Sequence, residues 1–301
     1  MICFPNAKIN LGLHVTGKRP DGYHTIESIF YPIPMKDALE LVISKKTSFT
    51  QTGLQLGITP KDNLVMRAYA LMTKKYKIPS LDIFLKKAIP SGAGLGGGSA
   101  DAAFMLKLLQ AHPSLRESKE KLRFPNMLKM TSLENSSLVE GTTKQSIEDI
   151  PESELLKMAE SLGADCPFFI RNTPALVTGT GNEFQPSGIS LKGYILYIVK
   201  PLISISTQEA YSMIKPQKPA FSFNELSSIP VFEWKHVLKN DFEPGIFKKF
   251  PSIEKIKDNL YAMGAEYASM SGSGSAVYGL FKKDTISPTF ADCFTWKGIL
   301  E

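Results

Sequence analysis

Apolar and polar residues alternate through Ala7-Lys-Ile-Asn-Leu-Gly-Leu-His-Val15, and the extended spacing resumes in Ile26-Glu-Ser-Ile-Phe-Tyr31 after the turn-rich Gly17-Lys-Arg-Pro-Asp-Gly22. Period-two spacing of this kind predicts a hairpin. A third strand is expected over 38–44. Residues 62–72 carry helical spacing, with Asp62 as an acidic cap at the start. Residues 81–89 alternate again and lead directly into Pro90-Ser-Gly-Ala-Gly-Leu-Gly-Gly-Gly-Ser-Ala-Asp-Ala-Ala103. An amphipathic helix is expected behind those glycines, from Ser99 to about His112, with Ser99 as its cap and Asp101 in its first turn. Pro151 opens a helix over 152–162 that Gly163 ends. Beyond it the pattern reads as strands over 175–178, 193–199 and 276–281. Between the last two lie a helix capped at Ser206 or Thr207 and further helices up to Ala262, with Gly264 at their end. The order of strands and helices is mixed, without the regular alternation of a doubly wound sheet.

The chain has 301 residues, enough for one large domain or two ordinary ones, and an interruption near residues 175–190 marks a candidate boundary. No apolar run reaches the length of a membrane span, and the N-terminus lacks the pattern of a secretory signal, so the expected setting is cytoplasmic, with no membrane partner. Cys3, Cys166 and Cys293 are far apart, which argues against a sequence-local zinc site and against a disulfide framework. A net charge of +6 suits an anionic substrate or nucleic acid, and lysines spread along the chain do not choose between them. Residues from about 113 to 150 are charged, then Ser/Thr/Asn/Glu-rich with few apolar positions, and read as a mobile surface insertion.

The segment with most chemical content is the glycine run, five glycines between Gly92 and Gly98. Backbone amides converge where side chains are absent, and the helix behind adds unpaired amides and the positive end of its dipole, so the segment is suited to phosphate. A flexible linker would not be flanked at once by a strand and a helix. Two common phosphate fingerprints do not fit. Gly92, Gly94 and Gly97 satisfy GxGxxG, but the loop lies too deep in a mixed segment to be a first Rossmann turn; Gly12 to Arg19 resembles a P-loop, but Arg19 replaces the needed Ser or Thr. A second cluster, Ser271-Gly-Ser-Gly274, offers amides and hydroxyls for another phosphate wall, although alone it would more often be a hairpin turn.

Three further places hold candidate chemistry. Asn6, Lys8 and Asn10 share one face of the first strand, which by itself reads as a solvated surface. Asp165 stands on a short turn before an apolar run, a position for a general base or for a turn cap. Tyr23 and His24 on the hairpin offer an aromatic face and an imidazole to a heterocycle, or simply packing.

These motifs together resemble the galacto-, homoserine, mevalonate and phosphomevalonate (GHMP) kinase superfamily. Within it, Pro5-Asn-Ala-Lys-Ile-Asn-Leu11, Gly17-Lys-Arg-Pro-Asp-Gly-Tyr-His-Thr25, Gly94-Leu-Gly-Gly-Gly-Ser-Ala-Asp-Ala102 and Gly163-Ala-Asp-Cys-Pro-Phe-Phe169 are similar to the branch that phosphorylates 4-diphosphocytidyl-2-C-methyl-D-erythritol in the non-mevalonate isoprenoid route. The resemblance implies an α+β fold of two domains: a ribosomal-protein-like N-terminal domain over 1–180 that binds ATP, and a ferredoxin-like C-terminal domain over 181–301. It implies Lys8 and Asp165 as catalytic residues. Pro90, Ser91, Gly92, Ala93, Gly94, Leu95, Gly96, Gly97, Gly98, Ser99 and Ala100 would wrap the triphosphate, with Asn63 on the adenine side and Ser271, Gly272, Ser273 and Gly274 as the second wall. Tyr23 would stack on cytosine, and His24, Asn10 and Asp165 would meet the polar groups of the cytidine-diphosphate substrate. ATP is the implied cofactor, with Mg2+. Many superfamily members carry Gly-Leu-Gly-Ser-Ser where this chain has Gly94-Leu-Gly-Gly-Gly98, so a serine metal ligand is missing and no protein ligand for Mg2+ is assigned. Another GHMP kinase of homoserine or mevalonate type is the nearest alternative, disfavoured by Asp21-Gly-Tyr-His24. A basic RNA-binding protein is the alternative of another class.

Overall fold

The computed structural model describes residues 1–55, 57–111, 150–219, 221–283 and 290–301. Residues 112–149, which hold nearly all of the polar segment read as an insertion, lie outside the described residues.

The alternation near the N-terminus does form a long hairpin: β2 (Asn6–Lys18) pairs antiparallel with β3 (His24–Lys36), with irregularities in register at three places. Strands β7 (Ala175–Thr178) and β8 (Glu183–Pro186) extend it into a sheet of order β2-β3-β7-β8. A second sheet, β1-β4-β6-β5, is built from β1 (Ile2–Cys3), β4 (Ala38–Ile43), β5 (Ser48–Gly53) and β6 (Leu81–Lys87), with β5 parallel to β6. Four helices, α1 (Leu64–Lys75), α2 (Gly97–Ala111), α3 (Glu152–Leu162) and α4 (Cys166–Arg171), share one apolar core with that sheet, centred on residues such as Leu39, Leu85, Leu106 and Phe169.

The third sheet has the order β10-β11-β9-β12, from β9 (Ile195–Pro201), β10 (Tyr267–Met270), β11 (Val277–Phe281) and β12 (Cys293–Ile299). Helices α5 (Thr207–Ser212), α6 (Trp234–Val237), α7 (Glu243–Lys249) and α8 (Pro251–Ala262) complete this half. One face of the sheet packs on α7 and α8 through Val199, Val277, Ile253 and Leu260. Its other face meets the β2–β3 hairpin: Ile9, Leu11 and Ile29 join Ile198, Tyr278 and Leu280 in one cluster. The hairpin is therefore enclosed between two layers, and burial of its apolar side chains, about 25 cal/mol per Å², holds the two halves together.

Several local expectations change. Helix α1 is capped by Asn63, whose side chain accepts from the Val65 amide, and not by Asp62. Helix α2 starts at Gly97, two residues before the expected cap, so Ser99 lies inside the first turn. Asp101 is beyond that turn; it is buried and bonded to Lys87, and does not serve the helix dipole. The apolar run after Asp165 is a helix, α4, with Cys166 through Ile170 all buried. Strands β1, β5, β8 and β12 have no counterpart in the predicted pattern, because β1 and β8 are too short to show a period and β5 and β12 lack a clean alternation of apolar and polar residues.

Candidate active site

Lys8 and Asn10 do not form a solvated surface. Both are at most 3% exposed, because the glycine loop and the β10–β11 connection cover that face of β2. The Lys8 amide donates to Leu95 O at 3.0 Å, pinning the strand to the loop. Its Nζ donates to Asn10 Oδ1 at 2.7 Å, lies 4.3 Å from the Phe30 ring centroid and sits 3.4 Å from Asp165 Oδ2. A buried ammonium needs such partners, and the aromatic face adds to them. Asn10 is held in turn: its Nδ2 donates to Ser28 Oγ, and that hydroxyl donates to Gly12 O. Its carbonyl oxygen is thereby fixed toward the lysine.

Asp165 stands at the N-cap of α4, yet its side chain makes no capping bond among the described residues. Gly163 ends α3 and Pro167 starts α4, so the two helices leave Asp165 at the corner between them. Its side chain is 32% exposed, enough to be reached by a substrate hydroxyl.

Directly against Lys8 lies the glycine loop. Gly92, Gly94 and Gly96 all have positive φ, so alternate residues take a conformation closed to most side chains. At Gly94 a Cβ would fall 1.9 Å from Ser271 O, because the second loop passes directly against it. Ser271 Oγ donates to Gly94 O at 2.8 Å and accepts from the Asn10 amide at 3.3 Å. The amides of Ser275 and Ala276 donate to Gly92 O and Ala93 O. The two glycine clusters, far apart in the chain, are thus one wall.

Lys8, Asn10, Asp165 and the exposed parts of both loops line one cavity of about 540 Å³. Of the expected site residues, Lys8, Asn10, Asn63, Pro90 through Ser99, Asp165, Gly272, Ser273 and Gly274 face it. Ala100 is buried behind the loop, and Ser271 acts as a strut between the loops. Tyr23 is 68% exposed at the hairpin tip, and neither it nor His24 is among the lining residues. The His24 ring stacks on Tyr211 at 4.6 Å between centroids, and Tyr211 does line the cavity. Burial pushes the Tyr211 phenol up to about 12, so it faces the cavity neutral.

Tyr211, Thr207, Thr180 and Phe242 are cavity residues that sequence reasoning missed. No local signal marks them; Tyr211 reads in the chain as one aromatic of a short helix. For Mg2+ the donor set does not fit a protein cage: Gly97 and Gly98 have no side-chain oxygen, and the carboxylates lining the cavity are Asp101, tied to Lys87, and Asp165, beside Lys8. Among the described residues no group of three or more His, Cys, Asp or Glu side chains is placed to hold a metal.

Comparison with known proteins places the chain in a family. The GHMP kinases N-terminal domain matches residues 63–135, and the GHMP kinases C-terminal domain matches residues 232–292. A 4-diphosphocytidyl-2-C-methyl-D-erythritol kinase of Parabacteroides distasonis is 52% identical over 303 residues, covering 100% of both chains. One of Bacteroides fragilis is 48% identical, over 94% of this chain and 93% of its own. A crystal structure of 4-(cytidine 5'-diphospho)-2C-methyl-D-erythritol kinase superposes with a TM-score of 0.70 at 27% identity, over 93% of this chain and 90% of that one. Homoserine kinase from Cytophaga hutchinsonii, with a TM-score of 0.55 at 14% identity over 98% of this chain and 95% of its own, shares the fold. Among the described residues no helix is long and apolar enough to cross a membrane. The chain belongs to the 4-diphosphocytidyl-2-C-methyl-D-erythritol kinase family of the GHMP kinases.

Proposed function

We propose that this chain moves the γ-phosphoryl group of ATP onto the 2-hydroxyl of 4-diphosphocytidyl-2-C-methyl-D-erythritol, with Lys8 and Asp165 as the catalytic residues. The observation that carries this is the Lys8–Asp165 approach of 3.4 Å in a cavity that the double glycine loop also lines. Phosphoryl transfer asks chiefly for alignment and charge stabilisation. In this reading the Asp165 carboxylate takes the hydroxyl proton as the new O–P bond forms. The bond from the γ-phosphorus to the bridging oxygen breaks, and ADP leaves with that electron pair. The Lys8 ammonium stabilises the charge on the transferring group, and Asn10 holds the ammonium in place.

Pro90 to Ala100 receive the triphosphate on backbone amides at the start of α2, with Asn63 on the adenine side and Ser271 to Gly274 behind them. Mg2+, where ATP brings it, would be held by the nucleotide's own phosphates and would neutralise their charge, since the residues lining the cavity offer it no cage. The stacked pair His24–Tyr211, with Tyr23 at the hairpin tip beyond it, forms an aromatic mouth suited to cytosine. Stacking of this kind contributes on the order of 1–3 kcal/mol per base in single-strand binders. The reading divides the chain near residue 180 into an ATP-side unit and a C-terminal unit, and places it in the cytoplasm, where ATP is supplied. Asp165→Ala is expected to abolish ATP-dependent phosphorylation of the cytidine-bearing substrate in a folded protein, followed by ADP release. Near-normal turnover would overturn the assignment of the base. Preferred turnover of homoserine or mevalonate by the unmodified protein would overturn the substrate.

A further inference from the structure

Beneath the glycine loop, three charged side chains share a buried place that the chemistry above does not use. Lys87, the last residue of β6, donates from Nζ to Asp37 and to Asp101 Oδ2, the latter at 2.6 Å. None of the three is more than 3% exposed. The ammonium lies directly under the loop, since a Cβ on Gly97 would come 3.4 Å from Lys87 Nζ, and Lys87 and Asp101 both line the cavity. Asp37 is fully used: Oδ1 accepts from the amides of Ala88 and Ile89, and Oδ2 from Lys87. Asp101 Oδ1 is buried and has no hydrogen-bond partner among the described residues.

One ammonium against two carboxylates leaves one negative charge uncompensated. Asp101 stands four residues into α2, about 6 Å of helix rise from the N-terminus that the phosphates would occupy, and lines the same cavity. At such a separation in a water-poor setting, repulsion of an incoming phosphate is substantial. A proton on the cluster removes it, and Asp101, with its unpartnered oxygen, is the cheaper place to hold one.

We propose that Asp101 is a positioning residue for the nucleotide: acting through Lys87, it must hold a proton while phosphates occupy the glycine loop. This rests on the reading that ATP binds at that loop. Burial, with Asp37 nearby, pushes the Asp101 carboxyl up to about 8, against the opposing pull of Lys87. Among the described residues, Cys3 on β1 also faces it, and burial pushes that thiol up to about 12, so it stays neutral; Lys107, further along α2, lies toward Cys3. At pH 7 the free protein already carries the proton and binding takes up almost none. Above pH 8 it has lost the proton and binding must recover it, so affinity falls as pH rises.

The test is calorimetric titration with ADP from pH 7 to pH 9, on the full chain and on Asp101→Asn. The ratio of variant to wild-type affinity, whatever its value at pH 7, is expected to rise about tenfold between pH 7 and pH 9. The ligand's own titration is common to both proteins and drops out. In buffers of different ionisation enthalpy, the wild-type protein is expected to take up about 0.9 proton at pH 9. Parallel pH profiles, or uptake near zero at pH 9, would overturn the proposal, and the second measurement needs no variant. Failure of wild-type protein to bind ADP at any pH would instead overturn the nucleotide reading beneath it.

Discussion

Replacing Lys8 by methionine removes the ammonium while keeping an unbranched stem in the same space. Its 3.4 Å separation from Asp165 corresponds to an attraction of about 5 kcal/mol at an effective dielectric of about 20. Asp165 is 32% exposed, and solvent screening leaves about half of that. The ammonium also faces the charge that develops on the transferring phosphoryl group, where loss of one such group lowers kcat by about 10²- to 10³-fold. Lys8→Met is therefore expected to lower kcat at least about 100-fold, equivalent to about 2.7 kcal/mol. Stability should change little. Burial of a cation is relieved, which tends to stabilise, while Asn10 Oδ1 loses its donor, which costs about 1–3 kcal/mol. Single-turnover rapid quench with the cytidine-bearing substrate isolates the transfer step, and a thermal melt checks the fold. A folded variant with kcat within threefold of wild type would refute the role given to Lys8.

Two further outcomes probe the cavity walls. Tyr211→Ala should raise KM for the diphosphocytidyl substrate at least tenfold and KM for ATP less than threefold, with Tyr23→Ala doing the same more weakly; equal effects on both substrates would make the aromatic mouth structural. Gly94→Ala should break the contact between the two glycine loops, since φ is +72° and the new Cβ would meet Ser271 O, and ADP affinity should fall more than tenfold; Gly98→Ala, whose Cβ would only touch Leu64 Cδ1 at 3.7 Å, should melt at the wild-type temperature. Wild-type ADP affinity in Gly94→Ala would show that the loops bind independently.

Local patterning carried much of this molecule. The Lys8 strand and its hairpin partner, the strand and helix that bracket the glycine loop, and the helix ended by Gly163 follow from period-two and helical spacing, because each rests on contacts within a few residues. The pairing of motifs far apart was suggested by resemblance, and the fold shows its physical form: Ser271 bonded to Gly94, and Asp165 beside Lys8. What spacing could not show is which polar residues are buried. Asn6, Lys8 and Asn10 alternate like a solvated face, and only the loops laid over that face by the tertiary fold make it an interior.

Asp101 teaches the same lesson from the other side. In the chain it reads as a helix-start carboxylate favoured by the dipole, and in the fold it is the third member of a buried cluster with Lys87 and Asp37. Tyr211 likewise enters the cavity because α5 packs beside the hairpin end that carries His24. The sequence by itself determined the elements, the phosphate loop and the residue types able to do the chemistry, since backbone freedom and side-chain character are local properties. The tertiary structure alone decided which charges face each other, at what distance and how far from water, because those depend on segments brought together only when the apolar faces are buried.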